Sequence, residues 1–83
     1  MARINLETIN KIDKERNTVH SKVDATYTVF TDGDDKYIQI DTYGSSNREI
    51  KGKISQSIQF DRETAKYLLR LFIEEYGLLI DLK

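Results

Sequence analysis

The residue types best suited to chemistry cluster in KYIQIDTYGSSNREIKGKISQSIQF, residues 36–60. Lys36, Gln39, Asp41, Ser55, Ser57 and Gln59 alternate there against isoleucines, with Tyr37 and Tyr43 on the polar side. Arg48, Lys51 and Lys53 fall within six residues, with Glu49 the only acid among them. Cations beside flat rings suit an unpaired nucleic-acid strand: the cations track phosphates, and each base that stacks on a ring contributes about 1–3 kcal/mol. Lys36, Tyr37, Gln39, Tyr43, Arg48, Lys51 and Lys53 are the candidate contacts, with Phe30 as a third ring and Ser55, Ser57 and Gln59 as hydrogen-bonding partners for base edges or phosphates. Thr, Ser, Gln and Tyr also line many half-wet sheets that bind nothing, so composition alone does not separate the two readings.

Other chemistries find less support. Cysteine is absent, which excludes disulfides, thiolate nucleophiles and cysteine-ligated zinc. His20 is the single histidine and sits among polar residues, so a metal site is not expected. Asp32, Asp34 and Asp35 surround Gly33, but this run is too short for a 12-residue calcium loop and reads as a hairpin turn. No glycine-rich phosphate loop opens a helix, and no serine lies in a nucleophile elbow. The chain is therefore expected to be non-catalytic, without metal or cofactor.

The elements that must position these residues follow from periodicity. In FDRETAKYLLRLFIEEYG, residues 60–77, Ala65, Leu68, Leu69, Phe72 and Tyr76 recur at helical spacing, Asp61 suits the N-cap and Gly77 the C-terminus. KVDATYTVF, residues 22–30, alternates like a strand, TDGDDK turns, and further strands follow from Tyr37 and over 54–60. This register gives an apolar face of Val23, Ala25, Tyr27, Val29, Ile38, Ile40, Ile54, Ile58 and Phe60, which the C-terminal helix is expected to cover. The opposite face is polar and aromatic. For residues 1–21 the spacing allows a helix through Leu6, Ile9, Ile12 and Arg16 or a strand through Ile4 and Leu6, with the strand favoured; LLIDLK could pair as an edge strand, dock on a partner or fray.

The fold class expected is α+β, an antiparallel sheet of three to four strands packed on one C-terminal helix. At 83 residues this is one domain with a thin core, burying about 60–65% of its unfolded surface. Residues 1–21 form the less certain N-terminal element, 22–60 the strands and 61–77 the helix. A net charge of −1 shows no global cationic footprint. No signal peptide or run of about 20 apolar residues is seen, which makes the cytoplasm the expected location and a membrane an unexpected partner.

KYIQIDTY followed by NREIKGKISQSIQFDRETAKYLL resembles the single-stranded-DNA-binding family named after the transcriptional positive cofactor four, with its small bacterial relatives, over roughly residues 22–76. That family carries a lysine-aromatic strand, a charged loop, a glycine-lysine approach to the next strand and an acid-capped helix. The resemblance implies a curved four-stranded antiparallel sheet, a homodimer formed through the helices, and strands that grip unpaired DNA. Lys36, Tyr37 and Tyr43 correspond to the lysine and aromatics of its second strand, Lys51 and Lys53 to the glycine-lysine approach. Asp41 departs, standing near a family arginine; the third strand is longer and the net charge weaker. The chain also resembles small accessory proteins of bacteria, phages and mobile elements, which implies a competing role as a module that binds a host protein and regulates a nucleic-acid enzyme or defence system. The partners expected are thus single-stranded DNA or RNA and a second copy, or a host protein.

Overall fold

A computed structural model describes residues 1–44 and 53–78. They form β1 (Ala2–Arg3), β2 (Ala25–Asp32), β3 (Asp35–Tyr43), β4 (Ile54–Phe60) and α1 (Arg62–Tyr76), an α+β fold with one four-stranded sheet in the order β1-β4-β3-β2. β2, β3 and β4 are antiparallel neighbours, as their alternation predicts. The sheet is nevertheless mixed, because the short β1 lies parallel to β4.

The β2–β3 hairpin closes at the Asp32–Asp35 pair, leaving Gly33 and Asp34 as the loop. Gly33 has φ 65°, a conformation that a two-residue hairpin loop needs and that costs glycine little. β2 starts at Ala25 rather than Lys22 and runs through Asp32, because pairing with β3 rather than local propensity sets its ends. At the other end of the sheet the register shifts at Thr42/Tyr43, where Ile54 comes to stand opposite Tyr43. Ile54 thereby leaves the alternation that would have placed it beside Ile58, since residues directly opposite share a face.

α1 follows β4 after a single residue. The Asp61 carboxylate accepts from Thr64 N at 2.8 Å, satisfying one of the orphan N–H groups at the helix start, a contact worth about 1 kcal/mol. Gly77, at φ 62° in the left-handed region, ends the helix, with the Gly77 and Leu78 N–H groups both donating to Ile73 O. Both ends fall where the capping residues placed them.

The expected strand through Ile4 and Leu6 begins and ends earlier, at Ala2–Arg3, with Ile4 N adding one bond to Gln59 O at 3.1 Å. Residues 4–24 then form neither strand nor helix, and most are exposed. Neither proposed periodicity finds a surface to lie on.

The largest departure concerns the core. Pairing does align the predicted apolar face: Tyr27 opposes Ile40, which opposes Ile58, and Val29 opposes Ile38, which opposes Phe60. α1 covers it only in part. Tyr27 is 72% exposed, Val29 52%, and Ile38, Ile40 and Ile58 38% each, and among the described residues no apolar side chain is buried. The reason is geometric. Tethered at Phe60, α1 meets the sheet chiefly at β3. A helix about 10 Å wide spans two strands spaced about 4.8 Å apart, which leaves β2, with Tyr27 and Val29, at the open edge. Only Thr64, Ala65, Leu68 and Ile73 of α1 are shielded, whereas Leu69, Leu71, Phe72 and Tyr76 are exposed. No helix among the described residues is long and apolar enough to cross a membrane.

Candidate nucleic-acid interface

The opposite face is built by β3, where Tyr37, Gln39, Asp41 and Tyr43 recur every second residue and so project the same way, about 7 Å apart. β4 sets Gln59 beside Gln39 and Ser57 beside Asp41; β2 sets Phe30 beside Tyr37, Thr28 beside Gln39 and Thr26 beside Asp41. The side chains connect across the strands. Gln59 Nε2 donates to Gln39 Oε1 at 2.7 Å, Gln39 Nε2 to Asp41 Oδ1 at 2.9 Å, and Ser57 Oγ to the same Oδ1 at 2.5 Å. Tyr43 and Thr26 share a hydroxyl–hydroxyl bond at 2.9 Å.

This network makes the polar face the better shielded of the two: Asp41 is 6% and Ser57 5% exposed. A buried carboxylate is costly unless hydrogen bonds compensate it, and two of them converge on Asp41 Oδ1. The result is a rigid, internally satisfied surface in which each amide is held in one orientation.

At one end of the face lies an aromatic platform. The Tyr37 and Phe30 rings stack with centroids 5.7 Å apart and planes 28° from parallel. The Arg3 guanidinium reaches across β4 to lie 5.5 Å from the Tyr37 ring centroid, and its Nη1 donates to the Tyr37 hydroxyl at 3.2 Å. Tyr37 and Tyr43 are both half-buried on this polar face, outside the apolar layer. A cation, two rings and a row of amides therefore share one surface.

The structure brings Tyr37, Gln39 and Tyr43 together and parts them from Lys36. Lys36 pairs with Thr31 and alternates with Tyr37, so it lies at the end of the isoleucine face rather than with the rings. Lys53 is exposed just before β4. Arg48 and Lys51 lie outside the described residues, as does most of the charged loop. Ser55 falls at the register shift, out of line with Ser57. Arg3 is the residue that sequence reasoning missed. Its position just before Ile4 and Leu6 hinted at a strand, but nothing local announces that the strand pairs with β4 and delivers a guanidinium to Tyr37.

Among the described residues no group of three His, Cys, Asp or Glu side chains is placed to hold a metal ion. A cleft of about 750 Å³ opens where the hairpin turn faces the start of α1, lined by Arg3, Lys36, Arg62 and Lys66 among cations and by Asp34, Asp35, Asp61 and Glu63 among acids. Balanced charge gives it no preference for an anion or a cation. Compared with protein-family models, with curated proteins and with solved structures, the chain matches none.

Proposed function

We propose that this protein is a non-catalytic, single-stranded nucleic-acid-binding protein that acts as a homodimer and receives unpaired bases on the polar face of its sheet. The observation that carries this reading is the Phe30–Tyr37 stack with Arg3 over the tyrosine ring. Every base has a π-face, so a half-exposed ring pair flanked by a guanidinium binds unpaired bases without demanding a sequence. A base entering here shares Tyr37 with Arg3 or displaces the guanidinium toward a phosphate. Gln39 and Gln59 lie next along the face, within reach of base edges. Tyr43 marks its far end, and Lys53, Arg48 and Lys51 supply further positive charge from the segment that precedes β4.

Fluorescence anisotropy with a labelled single-stranded oligonucleotide tests the reading. Binding should weaken as salt rises, with a log–log slope of about −0.7 per phosphate contact on a single strand. It should weaken further in the pair Lys51→Glu and Lys53→Glu. A flat titration at low salt would remove the assignment. The competing reading, a module that regulates a nucleic-acid enzyme or defence system by contact with a host protein, draws on the apolar face, where Tyr27, Val29, Ile38, Ile40 and Ile58 are exposed. A pull-down from nuclease-treated lysate addresses it.

A further inference from the structure

β2 is the last strand of the sheet, and its outer edge has no neighbour among the described residues. All 8 of its residues are exposed. The pairing with β3 fixes which backbone groups face outward. Asp24 O accepts from Tyr43 N at 3.0 Å, and bonded and unbonded pairs alternate along an antiparallel ladder. In steps of two from Asp24, the even-numbered residues of β2 therefore bond to β3, while Ala25, Tyr27, Val29 and Thr31 turn their N–H and C=O groups to the open edge. Such a row templates a further strand unless lysine, proline or a bulge blocks it. ATYTVFTD contains no lysine, arginine or proline, and its pairing with β3 runs from Ala25 to Asp32 without a register shift. Tyr27 and Val29, at 72% and 52%, are also more exposed than Ile38, Ile40 and Ile58, so a strand laid beside them extends the apolar layer where it is least covered.

We propose that the open edge of β2 takes up an extended segment of a partner protein, apolar at alternate positions and basic at both ends. The ends of the edge select this occupant. Asp24 and Asp32 bracket the strand, Asp34 and Asp35 follow at the turn, and all four are exposed. Lys22 lies before the strand and is not held in its ladder. A second copy pairing antiparallel through the same edge, in the register that joins most residues, sets Ala25 against Thr31 and Tyr27 against Val29. That register brings Asp24 of each chain opposite Asp32 of the other. Like charges directly opposite destabilise a ladder, so the edge turns its own kind away. Lysine or arginine in those two places converts both repulsions into cross-strand ion pairs. Between the basic ends, the incoming backbone meets the free groups of Ala25, Tyr27, Val29 and Thr31, and every second side chain falls beside the apolar layer. Main-chain bonds then supply affinity, and the alternate side chains and the charged ends supply specificity.

The inference involves neither nucleic acid nor the Tyr37 platform, so it and the proposed function fail separately. Its probe is a fluorescent peptide long enough to run from Asp24 to Asp32, valine and threonine alternating between a lysine at each end. Anisotropy should rise when the full chain is added, and affinity should fall by at least about fourfold when glutamates replace the two lysines. Hydrogen exchange followed by NMR locates the contact. With the peptide bound, the amides of Tyr27, Val29 and Thr31 should exchange more slowly, while those of Thr28 and Phe30, already bonded to β3, should not change. Val29→Pro removes an N–H that faces the edge, where a strand tolerates proline, and should abolish peptide binding with the sheet retained. Should that variant not fold, Asp24→Lys with Asp32→Lys still decides, because this surface pair should reverse the preference toward the glutamate-ended peptide. A flat titration, equal affinity for the two peptides, or slowed exchange confined to another element would overturn the proposal. So would slow exchange of the same edge amides in the chain alone, which would give the edge to a second copy.

Discussion

The two faces of the sheet invert the usual relation between polarity and burial. On one side Asp41 and Ser57 are nearly inaccessible; on the other, Ile38, Ile40 and Ile58 remain open. The difference lies in what each side chain needs as a cover. Polar groups on adjacent strands satisfy and shield one another laterally, and Gln59, Gln39, Asp41 and Ser57 do so in one continuous chain of hydrogen bonds. Aliphatic groups gain only from removal from water, which demands a second layer, and α1 supplies that layer for one end of the sheet. A laterally satisfied polar surface and a partly covered apolar one thus sit back to back.

The comparison breaks most visibly at Ile40, the centre of the open layer. Ile40 is only 38% exposed on a central strand, so Ile40→Asp sets a charge among apolar neighbours and should destabilise the fold by about 2–4 kcal/mol in urea unfolding. Next in size is Asp41→Ala on the other face. It strips the shared acceptor from Gln39 and Ser57 and should cost about 1–3 kcal/mol in urea unfolding without altering the oligomeric state.

Tyr37→Ala sharpens the functional side. It removes the ring between Phe30 and Arg3 and should weaken oligonucleotide binding by about 5- to 150-fold, the equivalent of ~1–3 kcal/mol for one lost stack, with sedimentation unchanged. Equal affinity in the two proteins would place the binding surface elsewhere.

The smallest effect is expected at Asp61, which belongs to neither face. The Thr64 backbone N–H bonded to its carboxylate holds the Asp61 pKa below the ordinary value of 3.8. A lowered native pKa stabilises the fold above that value, and the contribution disappears as pH falls through the native one. Asp61→Ala should therefore cost about 1 kcal/mol at neutral pH. Asp61→Asn should keep most of the cap at neutral pH and remove this residue's share of the acid-induced loss, as acid titrations of the two variants would show.

Much of the fold was legible because its signals are local. Asp61 and Gly77 mark the ends of α1 through groups within four residues of themselves, and Gly33 announces the hairpin by the one backbone conformation that glycine adopts readily. The faces were legible wherever strict alternation survives, as in β2 and β3. Alternation misled at Ile54, where the register shift is a property of the β3–β4 pair and of neither strand alone. Lys36 stands next to Tyr37 in sequence, but its even spacing from Ile38 puts it on the other face. Arg3 was invisible because its meaning depends on a parallel pairing with a strand more than fifty residues away.

By itself the sequence determined the helix with its caps, the turn at Gly33, the three long strands and the division of their side chains into an apolar and a polar set, all consequences of short-range sterics and of spacing along the chain. Only the tertiary structure decided that β1 pairs parallel to β4, that Arg3 rests on Tyr37, and that the polar set is shielded while the apolar set stays open. The first two outcomes depend on a pairing between segments more than fifty residues apart, and the last on how far one helix, tethered beside Phe60, can reach across the sheet, neither of which a local pattern of residues encodes.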